Sequence, residues 1–278
     1  MDDPDYGQKA QRPDMTEEDF QMSKSEFLKQ IGLSDQQRDD LQIHTIDQSS
    51  SQEWLENRKN RLTASIFGKI CKRKENISCA PLVRSIVKPQ IISNVPSIKY
   101  GKANEQTALA QLSRQESITI TRCGLYIDKT LQFLGASPDG SYKNKEGKTG
   151  LVEIKCPFSA KNMQSDEAVK AKKIKFWKYN AKNNTFSVDK NHDYYFQIQS
   201  QLNITEIDMC LFSIWTGEEH SMKIEYVKRD PEFWQDKMVG PLSKFYLNCL
   251  LLELIDSRME RSMPIKDPPY IIQAIENK

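Results

Sequence analysis

No two of the six cysteines, at positions 71, 79, 123, 156, 210 and 249, stand in Cys-x-x-Cys spacing, so the thiols read as reduced and intracellular. Histidine is scarce: His44, His192 and His220 are scattered and form no cluster. No signal-like N-terminus and no internal repeat is visible, which argues against a secreted role. The apolar run over residues 249–255 is too short to span a bilayer and carries Glu253, so it is not a membrane segment. A net charge of +2 says nothing about partners, but its distribution does. Up to Gln48 there are 12 acidic and 5 basic residues, a balance of −7, which leaves +9 for the remainder. Residues 1–48, rich in Gln, Asp and Ser, read as an acidic, partly disordered segment with a short helix over residues 27–40. Residues 49–278 read as the folded, basic part. With 38% hydrophobic content, 278 residues can bury a sizeable core, as one elaborated α/β domain or as two.

Two segments carry chemistry: Ser137-Pro138-Asp139-Gly140 and Leu151-Val152-Glu153-Ile154-Lys155-Cys156-Pro157. Residues 133–156 read as a strand ending at the Ser-Pro-Asp-Gly turn, a polar bend and a second strand. Alternation along the second strand puts Glu153 and Lys155 on one face and Val152 and Ile154 on the other. The apolar pair can anchor the strand, leaving Glu153 and Lys155 to share a cleft with Asp139. Two carboxylates suit a hard divalent cation such as Mg²⁺, which takes oxygen ligands and keeps several waters. A neighbouring ammonium, here Lys155, can orient a water or offset charge growing on a phosphate. A bare Glu-x-Lys is usually a surface ion pair worth at most about 1 kcal/mol. The Ser-Pro-Asp-Gly segment at this spacing reverses that balance and points to metal-assisted phosphodiester chemistry.

Three outlying motifs accompany the central pair. They are Trp54 with Arg58-Lys59-Asn60-Arg61-Leu62-Thr63-Ala64-Ser65, Tyr100-Gly101-Lys102-Ala103-Asn104-Glu105, and Tyr194-Tyr195-Phe196-Gln197-Ile198-Gln199. In this order, over about residues 54–215, the set resembles the PD-(D/E)xK nuclease superfamily, in the branch of YqaJ-type viral recombinases and lambda exonuclease. The resemblance implies an α/β fold with a restriction-endonuclease-like core: a central mixed β-sheet flanked by helices, with a long C-terminal helical region. It implies Asp139, Glu153, Lys155 and Glu105 as catalytic residues. Asp139, Glu153, Glu105 and the Ile154 backbone carbonyl would be the metal ligands, for Mg²⁺ with Mn²⁺ as a substitute. Arg58, Ser65, Ser137 and Gln197 would surround a terminal 5′-phosphate; Arg61 is the second cation of that motif, and sequence does not decide which of the two turns inward. The expected activity is 5′-to-3′ exonucleolytic digestion of double-stranded DNA ends in recombination or repair. The alternatives are a same-fold endonuclease and a non-catalytic DNA-binding module. Relatives form trimers and work beside single-strand annealing proteins, so a homo-oligomer and such a partner are expectations too. The missing four-Cys set argues against the superfamily's iron–sulfur members.

Each outlying residue also has a plain reading. On a helix over residues 98–115, Glu105 shares a face with Ala108, Leu109 and Leu112, so it either snorkels to the rim or meets a cation. Gly101 permits close backbone approach or is an ordinary loop glycine. Arg58 and Ser65 suit a surface helix and the cap of the next one. Residues 161–182 carry seven lysines interleaved with Phe176, Trp177 and Tyr179; these either grip nucleic acid, with rings on bases, or form an exposed surface with the rings turned inward. Residues 207–216 and 221–228 read as strands, and Pro231 opens a helical region to about Arg261, broken or kinked at Gly240-Pro241.

Overall fold

The computed structural model describes residues 14–89 and 94–278. In chain order these form α1 (Glu17–Gln30), α2 (Asp35–His44), α3 (Gln52–Lys59), β1 (Leu62–Thr63), α4 (Ala64–Cys71), α5 (Ala80–Val87) and α6 (Pro96–Glu116). Strands β2 (Thr119–Thr121), β3 (Tyr126–Ile127), β4 (Leu134–Ala136), β5 (Gly140–Lys143) and β6 (Thr149–Lys155) follow. Next come α7 (Ser165–Lys170), β7 (Trp177–Asn180), β8 (Thr185–Val188), α8 (Asp193–Thr205), β9 (Met209–Ile214) and β10 (Lys223–Lys228). Helices α9 (Pro231–Ile255) and α10 (Pro269–Glu276) complete the described chain.

The main sheet has the order β10-β9-β6-β5-β2 and is mixed: β6 and β9 run parallel, and the other pairs are antiparallel. Strand β6 lies at its centre and is buried on both faces, as a near-continuous apolar strand must be. Leu151 packs with Ile198 and Leu202 of α8 and Phe212 of β9, while Val152 and Ile154 pack with Ala108, Leu109 and Leu112 of α6. The sheet is therefore sandwiched between α8 and α6, with even-numbered β6 residues toward α6 and odd-numbered ones toward α8. A third core joins α4, α5 and α9 to the small sheet β1-β4-β3 through Phe67, Leu134, Phe245 and Tyr246.

The Ser-Pro-Asp-Gly segment sits where the chain leaves β4 in the small sheet and enters β5 in the large one. The strand before Asp139 and the strand paired with β6 are thus different strands. The hairpin partner of β6 is β5, closed by a turn in which Asn144 Oδ1 accepts the amides of Glu146 and Lys148 and Gly147 adopts φ +82°. Strands β9 and β10 fall where expected and extend the sheet.

Two other expectations change. The disordered beginning expected within residues 1–48 falls partly on residues 1–13, outside the described residues; from Glu17 the acidic segment holds two helices. The single helix over residues 27–40 is divided because Ser34 and Gln37 form a reciprocal capping box that starts α2 afresh. The C-terminal helix does not break at Gly240-Pro241. It runs through in wide π-type turns, Trp234–Val239 and Tyr246–Leu250, the first ending just where Pro241 lacks an amide to donate. At 25 residues α9 is long and apolar enough to cross a membrane, but Met238, Leu242, Phe245, Tyr246, Cys249 and Leu250 on it lie in the third core, and a buried core helix meets the same criterion.

Helix α4 meets α8 through Gly68, where a β-carbon would stand 2.7 Å from Asp193 Cα. Gly101, inside α6, has no atom within 4 Å of such a position, so no contact within the described chain uses its missing side chain. Gly68→Ala is expected to destabilise the fold by about 1–3 kcal/mol through forced separation of the helices. Gly101→Ala should instead stabilise it, by up to ~1 kcal/mol from helix propensity. Urea denaturation of both variants checks the pair; equal effects would contradict the packing described.

Candidate active site

Glu153 stands in the middle of the central strand and is 1% exposed. A carboxylate there needs partners, because an unpaired buried charge is strongly unfavourable. It has three: Lys155 Nζ and Gln197 Nε2 (2.7 Å) donate to Oε1, and Gln201 Nε2 donates to Oε2 at 2.7 Å. The Lys155 ammonium also lies 4.6 Å from the centre of the Tyr194 ring, a cation–π contact. Burial works against its charge, but Glu153 and Asp139 outweigh that and hold the Lys155 pKa above its ordinary value, so the side chain stays cationic.

Asp139 reaches β6 through its carboxylate, whose Oδ2 accepts the Ile154 amide at 2.7 Å. Strand geometry explains why that amide is available. Continuing the β5–β6 register past Gly140↔Val152 puts Ile154 opposite Pro138. The Pro138 carbonyl is turned to Gln48 Nε2 (2.9 Å), and its nitrogen has no hydrogen to offer the Ile154 carbonyl. That carbonyl therefore faces the same open edge as Asp139, on the side where the expected backbone ligand would lie. Glu105, half-buried at the start of the apolar face of α6, looks into the same region. Burial and the nearby Glu153 raise its pKa; burial, then Glu153 and Glu105, raise that of Asp139 well above the usual range despite Lys155.

Three carboxylates thus crowd around one ammonium. Among the described residues, no three acidic, His or Cys side chains already converge in a closed coordination geometry. The donor set nevertheless fits a hard divalent cation: it is all oxygen, Asp139 Oδ1 has no hydrogen-bond partner among the described residues, and a dication would offset both the burial and the acidic neighbours that lift Asp139 and Glu105. Cys156, beside this cluster, has its thiol pushed up to about 12 by burial and by Asp139 and Glu105, so it stays protonated and packs.

A second group adjoins the first through Ser137. Trp54 Nε1 donates to Ser137 Oγ at 2.9 Å, leaving that hydroxyl free to donate, and the Arg58 guanidinium lies over the Trp54 ring at 3.9 Å. Arg58 has no anionic partner among the described residues, and burial lowers its pKa to about 10. The parallel register Leu62↔Leu134 and Thr63↔Gly135 brings the start of α4, with Ser65, to the same end of the small sheet from which the chain leaves toward Ser137. Ser65 is exposed in the first turn of α4, whose N-cap Thr63 makes no side-chain cap bond, so amides there remain open to an anion.

Arg61 does not belong to this group. It is 4% exposed and its guanidinium is committed to carbonyl oxygens of Gln132 (2.8 Å), Asn57 (2.9 Å) and Ile31, so it staples the end of α1 to α3 and to the turn before β4. Of the two cations, Arg58 is the one left free. Gln197 has one amide hydrogen committed to Glu153, and its other amide hydrogen makes no hydrogen bond among the described residues. Gln201 and Tyr194 were not assigned from sequence; with Gln197 they form one stripe of α8 at i, i+3 and i+7, and that spacing was the available signal. Gln199 is structural, bonding Lys228 O and the Asp230 amide. In residues 161–182 the lysines are exposed while Phe176 and Trp177 are buried, Trp177 stacking on Phe212 at 5.1 Å, so neither ring is free for a base.

The raised Asp139 pKa carries a sign. In the metal-free chain, an acid whose folded pKa lies above its unfolded value of about 4 stabilises the fold least where it must ionise. Stability should therefore decline as pH rises from the ordinary carboxylate range through the folded pKa. Asp139→Asn keeps an acceptor for the Ile154 amide and removes the repulsion. Its unfolding free energy in chelator at pH 7 is expected to exceed the wild type's, by on the order of 1 kcal/mol or more, and its melting temperature to be higher. A lower melting temperature would show that the crowding does not strain the fold.

The chain is similar to several known proteins. The YqaJ-like viral recombinase domain family matches residues 53–208. The chain is 26% identical over 196 residues to the uncharacterized protein R354 of Acanthamoeba polyphaga mimivirus, covering 65% of this chain and 31% of that one. It is 29% identical over 130 residues to an alkaline nuclease of Orgyia pseudotsugata multicapsid polyhedrosis virus, covering 41% and 29%. The match thus spans about a third of the length of these curated relatives. In fold it resembles LHK-Exo, an alkaline exonuclease from Laribacter hongkongensis, with a TM-score of 0.54 at 21% identity over 76% of this chain and 97% of that one. With more than half its length in the match, the chain belongs to the YqaJ-like viral recombinase domain family.

Proposed function

We propose that the protein is a Mg²⁺-dependent deoxyribonuclease that digests double-stranded DNA from its ends in the 5′-to-3′ direction. The observation that carries this reading is the meeting of Asp139, Glu153, Glu105 and Lys155 at the open edge of β6. Asp139, Glu153, Glu105 and the Ile154 carbonyl would hold the cation, with Mn²⁺ able to substitute. Bound there, it would supply Lewis acidity to the scissile phosphate and acidify a water. Lys155, kept charged by its two acids and braced on Tyr194, offsets negative charge as it grows on the phosphoryl oxygens and can orient the attacking water. Glu153 keeps Lys155 in place. Glu153 is shielded from bulk solvent, which strengthens its interaction with Lys155.

The unpartnered Arg58, the Ser137 hydroxyl and the start of α4 with Ser65 offer a fork, a neutral donor and open amides, a combination suited to a phosphate monoester. The family resemblance makes that phosphate the 5′ end of a strand, which sets the polarity. Exposed lysines of residues 161–182 would add sequence-independent attraction to the backbone.

Incubated with Mg²⁺, the pure protein is expected to degrade 5′-phosphorylated linear duplex and to spare closed circles; degradation of circles would favour the endonuclease alternative. Asp139→Ala should lower the rate by roughly 100–1,000-fold. Unchanged Mg²⁺-dependent activity in that variant would overturn the site, and a wild type inert on every duplex would favour the binding module. Arg58→Ala should remove the preference for 5′-phosphate over 5′-hydroxyl ends; a preference left intact would remove Arg58 from the pocket.

A further inference from the structure

Gln201 lies outside every motif that marked the site, yet it is fully buried and its amide nitrogen donates to Glu153 Oε2 at 2.7 Å. Its own carbonyl oxygen is buried without a hydrogen-bond partner among the described residues. An orphaned buried acceptor is unfavourable and rare in a folded protein. Rotating the amide would bring the carbonyl against a carboxylate that can only accept, so Glu153 forces the orientation. An apolar side chain of similar length would fill the space but leave Glu153 Oε2 without its donor. The side-chain partner of the amide among the described residues is thus Glu153.

The other two donors, Lys155 and Gln197, both serve Oε1. Without Gln201, Oε2 would have no partner in a dry site, and the carboxylate would be free to turn about its last torsion. An ammonium at position 201 would hold Oε2 but would compete with a cation for the same charge. A second carboxylate would repel it. A neutral amide avoids both.

From this we infer that Gln201 is a positioning residue that fixes the Glu153 carboxylate in the orientation from which it serves the cation site. The inference rests on the metal reading of that site. Its test is the full-length Gln201→Met variant, compared with wild type for melting temperature, for Mn²⁺ affinity read from the electron paramagnetic resonance signal of free Mn²⁺, and for nuclease rate. Gln199→Met serves as the contrast, since both ends of that amide bond backbone groups. Gln201→Met should bind Mn²⁺ at least tenfold more weakly and lose rate at least tenfold, and in chelator it should melt below the wild type, because Oε2 of the buried Glu153 carboxylate loses its donor. Gln199→Met should melt lower with Mn²⁺ affinity within twofold of wild type. A folded Gln201→Met protein that keeps wild-type Mn²⁺ affinity overturns the inference and leaves Gln201 a packing residue. Gln201→Leu is the second apolar variant, and failure of both to fold has the same meaning. A wild type that binds no Mn²⁺ overturns the metal reading itself, and this inference with it.

Discussion

The architecture around the site is organised by one constraint: a glutamate is buried in the central strand of a sheet covered on both faces. Strand β6 must be apolar to occupy that place, and Leu151, Val152 and Ile154 make it so. Glu153 breaks the pattern and must be satisfied from within. That requirement dictates which helix covers the odd-numbered face, because only one with donors in a stripe at the right spacing can do it. Helix α8 supplies Gln197 and Gln201, and the strand supplies Lys155 two residues on. Gly68 lets α4 close on the start of α8, and α4 in turn carries Ser65 at its start.

A second consequence concerns charge balance. Lys155 compensates Glu153, but Asp139 and Glu105 are drawn to the same edge, and both have their carboxyls pushed up by burial and by their acidic neighbours. Left to itself such a cluster is strained. Folds tolerate that kind of strain where function uses it, and here the missing counterion would be a dication with oxygen preferences. Pro138 contributes to the same edge by removing a ladder hydrogen bond that would otherwise close it.

Much of this was legible from residue order. Alternation placed Glu153 and Lys155 together and Val152 and Ile154 opposite them, and helical periodicity put Glu105 in line with Ala108, Leu109 and Leu112. Less legible was which strand carries Asp139: a proline and a glycine mark a corner equally well within one sheet or between two. Arg58 and Arg61, three positions apart, were indistinguishable in sequence because their fates depend on distant carbonyls of Gln132 and Ile31. Gln201 was overlooked because a buried glutamine in a helix has no local signature; only its spacing from Gln197 hinted at a shared target. The helices of the acidic segment were underestimated because their apolar residues are few. Ile31 and Leu41 suffice because they are buried against the rest of the chain.

The central claim is that the acids at the open edge of β6 form one divalent-cation centre. Anomalous X-ray scattering from crystals grown with Mn²⁺ tests it most directly. The account predicts a peak within about 2.0–2.3 Å of carboxylate oxygens of both Asp139 and Glu153, with the Ile154 carbonyl in the same coordination shell. Ordered side chains in an active protein with no peak at that edge, or with the ion bound elsewhere, would contradict it.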